Sequence, residues 1–147
     1  MENFAEYFKP ERRIFLENIS YETVRAGKPS DVRRLGCRDT VVSQLIMPTG
    51  VKIVFNRRLH FEPEAMFVLS VSFGVFLAFN PERVGEVEWK DVNIVKEFTR
   101  SFPGVLQELT ARTALLVGEI TAAAGGTPLI AMAPIERDRE AEQGENT

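Results

Sequence analysis

The chain has 147 residues, 44% of them hydrophobic and 27% charged, which is the size and composition of one soluble globular domain. No apolar run approaches the ~20 residues that a membrane-spanning helix needs, and the net charge of −3 argues against a nucleic-acid-binding protein. The one cysteine, Cys37, excludes an internal disulfide and a thiolate zinc cluster.

The amino terminus, from Met1 to Glu6, carries acidic residues. A secretory signal would have basic residues here, followed by a long apolar core. We therefore predict a cytoplasmic protein.

A short helix and a strand are predicted for the first 24 residues. Residues 2–8 carry aromatic residues at helical spacing, and Pro10 ends that segment. Residues 13–24 are rich in β-forming residues and have apolar side chains at positions on both faces. Strict alternation places Phe15, Ile19 and Tyr21 on one face, which we expect to be the core face. The other face then holds Ile14, Leu16 and Val24.

Residues 31–46 have an ambiguous pattern after a predicted turn at 26–29. The apolar residues Val32, Leu35, Val42, Leu45 and Ile46 fit a helical face loosely, and Ser30 with Asp31 would suit a helix start. By contrast, residues 40–42 favour a strand, and Gly36 weakens a helix. We favour a helix for this segment.

Three further strands are predicted after it. Residues 51–61 follow a turn at 47–50 and form a second long strand. Residues 66–80 form the third, because every odd position is large and apolar while the even positions are mostly small. After a turn, residues 84–89 form a short fourth strand or the start of one.

Two helices are predicted next. Asp91 is a good N-cap for a helix over residues 92–102, and Pro103 begins a longer helix that runs to about Ala124. This long helix has a broad apolar face and a second stripe of small residues. We predict that the stripe is an oligomer interface, with packing on the protomer's own sheet as an alternative of equal weight. Its residues are Ala111, Ala114, Gly118 and Ala122.

The carboxyl-terminal part begins with Gly125-Gly126, which ends the long helix. Residues 128–135 form an extended apolar segment. Residues 136–147 have no apolar face to bury and are predicted to be an acidic, disordered tail. The chain is therefore predicted to consist of a single domain over residues 1–135 and this tail.

Residues suited to enzyme chemistry are sparse. His60 is the one histidine, and a pairing with Cys37 as base and nucleophile stays open, although an edge histidine and a small core cysteine fit better. The acid pairs Glu62/Glu64 and Glu86/Glu88, the latter on one strand face, are interpreted as surface residues. No glycine lies in the spacing of a phosphate-binding loop. We predict a non-enzyme without a catalytic residue, metal or cofactor.

Three pairs of neighbouring arginines, at 12–13, 33–34 and 57–58, are the remaining concentration of charge. In an acidic chain they give only weak support for nucleic-acid binding. We interpret them as solvated edges of strands and helices.

Two segments resemble the SecB family of export chaperones. Residues Arg13 to Glu22 are similar to the family's Arg-Ile-Tyr-x-Lys-Asp-Ile-Ser-Phe-Glu segment. Residues Gly126 to Ile135 resemble its Gly-x-x-Pro-x-Leu-x-Leu-Ala-Pro-Val segment, and Ala111-Arg112 matches an Ala-Arg pair in its long helix. The resemblance covers most of the chain from 13 to 135.

This resemblance implies an α+β fold, in which a four-stranded antiparallel sheet packs against a long C-terminal helix, with extra short helices. It implies a homo-oligomer, either a dimer or a tetramer, that binds unfolded or partly folded proteins. These would be export precursors or a dedicated client such as an antitoxin. The acidic tail 136–147 is similar to the tail that contacts the Sec motor in the family.

A surface that holds an unfolded chain needs apolar side chains exposed to water. Our candidates on the first strand are Ile14, Leu16 and Val24. On the small face of the third strand they are Met66, Val68 and Phe76. The alternative is that these residues lie under the helices or under residues 128–135.

Two other functions stay open. One is a SecB-like interaction module that binds a single folded partner. The other is a protein that binds a small ligand between sheet and helix, with His60 or the Glu86/Glu88 pair as polar groups.

Overall fold

The computed structural model describes residues 1–24, 34–62 and 66–124. The predicted turn at 26–29, the start of the segment at 30–33 and the connection at 63–65 lie outside the described residues. So do Gly125-Gly126, the segment 128–135 and the tail 136–147.

The described residues form one antiparallel sheet of four strands and two α-helices. The strands are β1 (Phe8–Val24), β2 (Arg34–Ile46), β3 (Gly50–Glu62) and β4 (Met66–Phe79). The helices are α1 (Ile94–Ser101) and α2 (Pro103–Ala123), and short 3₁₀ turns cover Phe4–Tyr7, Val84–Glu86 and Trp89–Asp91. The strand order is β1-β4-β3-β2, so β1 and β2 are the edges. This confirms the predicted α+β fold with its long C-terminal helix.

The helix predicted over 31–46 is wrong, because its described part forms strand β2. Burial in β2 alternates with a period of two, and Asp39, Val41, Ser43 and Leu45 all point to the covered side. The β-branched residues around Val41 prefer this pleated environment, and that preference outweighs the loose helical spacing.

The short fourth strand predicted over 84–89 is also wrong. The chain forms two 3₁₀ turns here, and the indole nitrogen of Trp89 donates to the carbonyl oxygen of Val84 at 2.9 Å. Trp89 is buried among the rings of Phe4, Phe8 and Phe79, with centroid distances of 4.6–6.1 Å. Burial of this large ring with a satisfied N–H therefore fixes a compact turn instead of a strand.

Several boundaries also shift. Strand β1 begins at Phe8 rather than at residue 13, and Pro10 fits because β1 is an edge strand. The residues before it form a 3₁₀ turn rather than a longer helix. Helix α1 is capped by Asn93, whose side chain accepts a hydrogen bond from the amide of Lys96, and not by Asp91.

Both helices pack on one face of the sheet, which we call the helix face; the opposite face is the outer face. The helix face carries the odd-numbered residues of β4, from Phe67 to Phe79. The core beneath the helices consists of two apolar clusters, a larger one around Trp89 and Phe98 and a smaller one around Leu69 and Val117. Among the described helices, none is long and apolar enough to cross a membrane.

Candidate functional site

A bulge in β1 decides which of its side chains share a face. Leu16 pairs with Phe73 and Asn18 with Ser72, so Glu17 is an extra residue in the strand. Beyond the bulge, Ile19 pairs with Val71 and therefore lies on the helix face with Leu16. The extra residue is held on the outer face, where its carboxylate accepts from Lys52 Nζ at 2.5 Å.

The bulge corrects the predicted division of β1 into two faces. Ile14, Leu16, Ile19 and Tyr21 all lie on the helix face, because their partners in β4 are the odd-numbered residues. Phe15, predicted to face the core, pairs with Gly74 on the outer face, and Val24 pairs with Met66 there. One inserted residue is enough to invert the alternation.

Helix α2 packs over β3 and β4 and leaves the helix face of β1 open. Leu16 is 48% exposed, Ile19 42% and Tyr21 38%, although each neighbours a buried or half-buried residue of β4. The Tyr21 ring stacks on Phe67, with 5.5 Å between the ring centroids. An apolar row therefore faces water beside α2.

At the Ile14 end of this row, Val105 and Arg112 of α2 lie across from β1. Residues three, four and seven positions apart share one side of a helix, so Leu116 continues the same wall. Leu116 is half buried against the smaller apolar cluster. We call the channel between these two walls the β1–α2 groove. Its β1 wall is Ile14, Leu16, Ile19 and Tyr21, and its α2 wall is Val105, Arg112 and Leu116.

One end of the groove widens into a cavity of about 620 Å³. It lies between Arg12 and Ile14 of β1 and the beginning of α2, with Phe102, Val105 and Arg112 in its lining. The guanidinium of Arg12 lies 5.1 Å from the centroid of the Phe102 ring. The groove thus combines an apolar run with a cationic end.

Around its glycines the outer face is covered by its own side chains, whereas Val42, Ile46 and Met66 stay exposed on this face. A Cβ atom at Gly74 would lie 2.7 Å from the Phe15 ring, and one at Gly50 would lie 2.7 Å from the Phe76 ring. The imidazole of His60 covers Gly36 in the same way, at 2.5 Å. The glycines leave room for these rings against the sheet. Most of their apolar area is therefore already packed.

The six predicted client-binding residues do not form one surface. Ile14 and Leu16 lie in the β1–α2 groove. Val24, Met66, Val68 and Phe76 lie on the outer face, where Phe76 is packed over Gly50. Met66 is the most exposed of the four, at 54%. The role of all six in client binding stays a prediction.

Sequence reasoning missed Ile19 and Tyr21 as groove residues because it assumed an unbroken alternation. The bulge has no glycine or proline to mark it, and the local sequence Leu-Glu-Asn-Ile reads as ordinary strand.

The small-residue stripe of α2 is partly inside the protomer. Ala114 and Gly118 are buried, Ala111 is half buried and Ala122 is exposed. Packing of α2 on its own sheet therefore uses the centre of the stripe, which was the alternative of equal weight. An oligomer contact through this stripe stays a prediction. Of its four residues, only Ala111 and Ala122 are accessible to a partner subunit.

Cys37 and His60 lie on opposite faces of the sheet and do not form a nucleophile–base pair. Cys37 pairs with buried Leu59 on the helix face, whereas His60 lies over Gly36 on the outer face. Burial raises the pKa of the Cys37 thiol to about 11, with the neighbouring Arg57 opposing that shift and Asp39 adding to it. The thiol therefore stays protonated at neutral pH.

Glu86 and Glu88 do not lie on one strand face, because this segment forms 3₁₀ turns. Glu86 instead accepts from Arg83 Nε at 2.9 Å, and both acids are exposed. Across the part of the chain that the structure describes, no group of three His, Cys, Asp or Glu side chains is placed to hold a metal ion.

Arg57 was interpreted as a solvated strand edge, and this interpretation is wrong. Its side chain is buried on the helix face, where Nε donates to Asp39 Oδ1 at 2.8 Å. A second guanidinium nitrogen donates to Asp39 Oδ2 at 2.9 Å. The hydrogen bond that Arg57 donates to Asp39 raises the pKa of Arg57, and burial opposes this shift only in part. Arg58, the next residue, is exposed on the outer face.

No family model and no curated protein matches the chain. Among solved structures, it is similar to the Mycobacterium tuberculosis Rv1957 SecB-like chaperone in complex with a ChAD peptide from the Rv1956 HigA1 antitoxin. The TM-score is 0.60 and the sequence identity is 12%, over 84% of this chain and 90% of that chain. At this identity the similarity shows a shared fold.

Proposed function

We propose that this protein is a SecB-like, ATP-independent chaperone that holds non-native polypeptide in the β1–α2 groove. The observation that carries the proposal is the exposed row Leu16, Ile19 and Tyr21, which continues the apolar core out into solvent. Monomeric proteins rarely leave such a row open unless it binds a partner. The shared fold with a SecB-like chaperone supports the same conclusion.

The size of the row sets the strength of the interaction. Completing the burial of three half-exposed side chains contributes roughly 1 kcal/mol for each of them. A gain of about 3 kcal/mol falls short of the ~4 kcal/mol of millimolar binding. One groove therefore binds an unfolded chain weakly and releases it, and tight holding needs several grooves on the same client.

We propose a homo-oligomer for this reason and for a second one. Strand β1 has 17 residues and lies at the edge of the sheet, so its outward backbone groups form a template for another strand. In a dimer, the β1 strands of the two protomers would pair antiparallel around a twofold axis, so that neither β1 edge stays open. This pairing would also bring the two grooves onto one continuous surface.

The identity of the client is a finer part of the proposal. The structural neighbour holds a peptide from an antitoxin, which supports a dedicated peptide client here over a broad set of export precursors. Contact between the tail 136–147 and the Sec motor, and a cytoplasmic location, stay predictions from the sequence.

Suppression of aggregation tests the proposal. The full chain, added in several-fold excess to a chemically denatured model protein on dilution, should prevent light scattering. The double variant Ile19→Ser/Tyr21→Ser should lose most of this effect. The variant Met66→Ser removes a more exposed apolar side chain from the outer face and should keep the effect. Circular dichroism checks that all three proteins fold.

Failure of the unmodified chain to suppress aggregation would overturn the proposal. Equal loss in the groove variant and in Met66→Ser would overturn the assignment to the groove. Sedimentation equilibrium tests the oligomer: the mass should be a multiple of 16.6 kDa, and a monomer at every concentration would contradict it.

A further inference from the structure

The cavity at the end of the β1–α2 groove differs in chemistry from the rest of the groove. Arg12 lies on the helix face, because its partner in β4 is buried Leu77, and it stands two residues before Ile14. The cavity is therefore continuous with the apolar row of β1. Its opposite side is the first turn of α2, from Pro103 to Val105.

Arg12 brings a positive charge to this cavity, and the one carboxylate in the described lining belongs to Glu108. The carbon of its guanidinium lies over the Phe102 ring, a cation–π contact that holds the charged group at the wall of the cavity. Within the described ranges, Arg12 forms no ion pair. Arg112 on the same cavity is different, since it is paired with Glu108 at 2.8 Å.

The first turn of α2 favours the same kind of ligand. It contains no acidic side chain, and the N-cap residue Phe102 has no side-chain oxygen to accept a hydrogen bond from the amides of the turn. The position of a Cβ on Gly104 would have open space around it. The positive end of the helix dipole therefore adds to the charge of Arg12 in the same cavity.

We propose that this cavity binds a carboxylate of the polypeptide held in the groove, with Arg12 as its main partner. The client segment would then carry one acidic residue beside a short apolar stretch. The carboxylate binds at Arg12 while the apolar side chains lie on Leu16, Ile19 and Tyr21. This proposal rests on the proposed chaperone function and specifies the class of segment that the groove selects.

The spacing within such a segment follows from β1. Arg12 and Leu16 are four residues apart on an extended strand, which corresponds to roughly 13 Å. An extended client therefore places its acidic residue about four positions from its first apolar anchor. The groove does not by itself fix the direction of the bound chain. The acidic residue can therefore precede or follow the apolar stretch.

Binding of short labelled peptides tests this proposal. The probes are blocked peptides with three leucines at alternate positions and, four residues from them, an aspartate at either the amino or the carboxyl end. Matched peptides carry asparagine or lysine in its place. Fluorescence anisotropy should show that one of the aspartate peptides binds about five- to tenfold more tightly than its asparagine counterpart, as a charge-assisted hydrogen bond provides. The lysine peptide should bind most weakly.

Arg12→Gln and Arg13→Gln form a matched pair of variants. The two residues are neighbours in the sequence, but Arg13 pairs with Phe76 and lies on the outer face. We expect Arg12→Gln to bind the aspartate and asparagine peptides equally, and Arg13→Gln to keep the preference. The preference should also shrink as the salt concentration rises.

The outcomes separate the two proposals. Leucine peptides that bind the unmodified protein without any preference for aspartate would overturn the carboxylate site and leave the groove standing. A loss of preference that is the same in both variants would also overturn it. No binding of any leucine peptide at concentrations up to several millimolar would overturn the carboxylate site, and the proposed function itself falls if the unmodified chain also fails to suppress aggregation.

Discussion

Asp39 and Arg57 form a two-point ion pair beneath α2, and both side chains are almost completely buried, at 4% and 1% exposure. The two residues face each other across β2 and β3. A slip of one residue between these strands would send their side chains to opposite faces of the sheet. We infer that the pair specifies the register of the edge strand β2, whose one neighbour among the described strands is β3.

Asp39→Ala should destabilise the protein by about 3–5 kcal/mol, because it leaves the guanidinium of Arg57 buried without its carboxylate. Urea unfolding followed by circular dichroism measures the change. The control is Asp91→Ala, which removes an exposed carboxylate and should change the free energy of unfolding by less than about 0.5 kcal/mol. Similar effects of the two substitutions would contradict a structural role for the pair.

Cys37 should react slowly with iodoacetamide. At pH 8 a thiol with a pKa of about 11 has roughly one hundredth of the thiolate of a thiol at its ordinary value of 9.0. The labelling rate in the folded protein should therefore be about a hundredfold lower than the rate in urea. Equal rates in the two states would show that the thiol is not shielded.

The same shift predicts the direction of a pH effect on stability. The pKa of Cys37 is higher in the folded state, so between pH 9 and 11 the unfolded chain loses a proton that the folded chain keeps. The free energy of unfolding should fall as the pH rises through this range. The variant Cys37→Ala, which lacks the thiol, should lose this part of the pH dependence.

Deletion of Glu17 should be tolerated, because Glu17 is the extra residue of the bulge. Without it, Leu16 and Asn18 keep their partners in β4 and Ile19 stays on the helix face. The loss is one partly exposed ion pair with Lys52, worth about 0–1 kcal/mol. Ser20 lies in the regular part of β1. Its deletion should move the side chains on one side of the deletion to the opposite face of the sheet. Urea unfolding should separate the two deletions clearly, and equal loss of stability would argue against the bulge.

Three glycine-to-alanine substitutions should change the stability of the protein in a predictable order. Gly50→Ala should be the most destabilising, because its Cβ would lie 2.2 Å from the backbone oxygen of Leu77, which cannot move easily. In Gly74→Ala the new Cβ would contact mainly the end of the Phe15 ring, and the protein should be destabilised by about 1–3 kcal/mol. Gly104→Ala, in open space on α2, should be neutral or stabilise by up to about 1 kcal/mol. A reversed order of melting temperatures would contradict the packing of the outer face.

The parts of the fold that follow from local patterns were predictable. The odd positions of residues 67–79 and the Pro103 start of the long helix each carry a repeated signal over many residues. By contrast, the strand β2 and the turn at Trp89 depend on tertiary burial. Residues 31–46 fit two periodicities, and only the sheet and the pairing of Asp39 with Arg57 decide between them.

The candidate site was predictable only in part. Ile14 and Leu16 were identified as exposed apolar residues of the first strand, whereas Ile19 and Tyr21 were assigned to the core. The cause is one inserted residue, Glu17, whose effect on the alternation cannot be read from propensities. The cavity at Arg12 was missed because it forms only where β1 meets the start of α2.

The most direct test of the account measures which surface an unfolded chain covers. Ile19→Cys and Met66→Cys, each in a Cys37→Ala background, place a reactive thiol in the groove or on the outer face. A permanently unfolded protein, such as reduced and carboxymethylated lactalbumin, is then added at saturating concentration during labelling with a maleimide. We predict that it slows the labelling of Ile19→Cys several-fold and leaves Met66→Cys unchanged. Protection of Met66→Cys alone, or of neither thiol, would contradict the account.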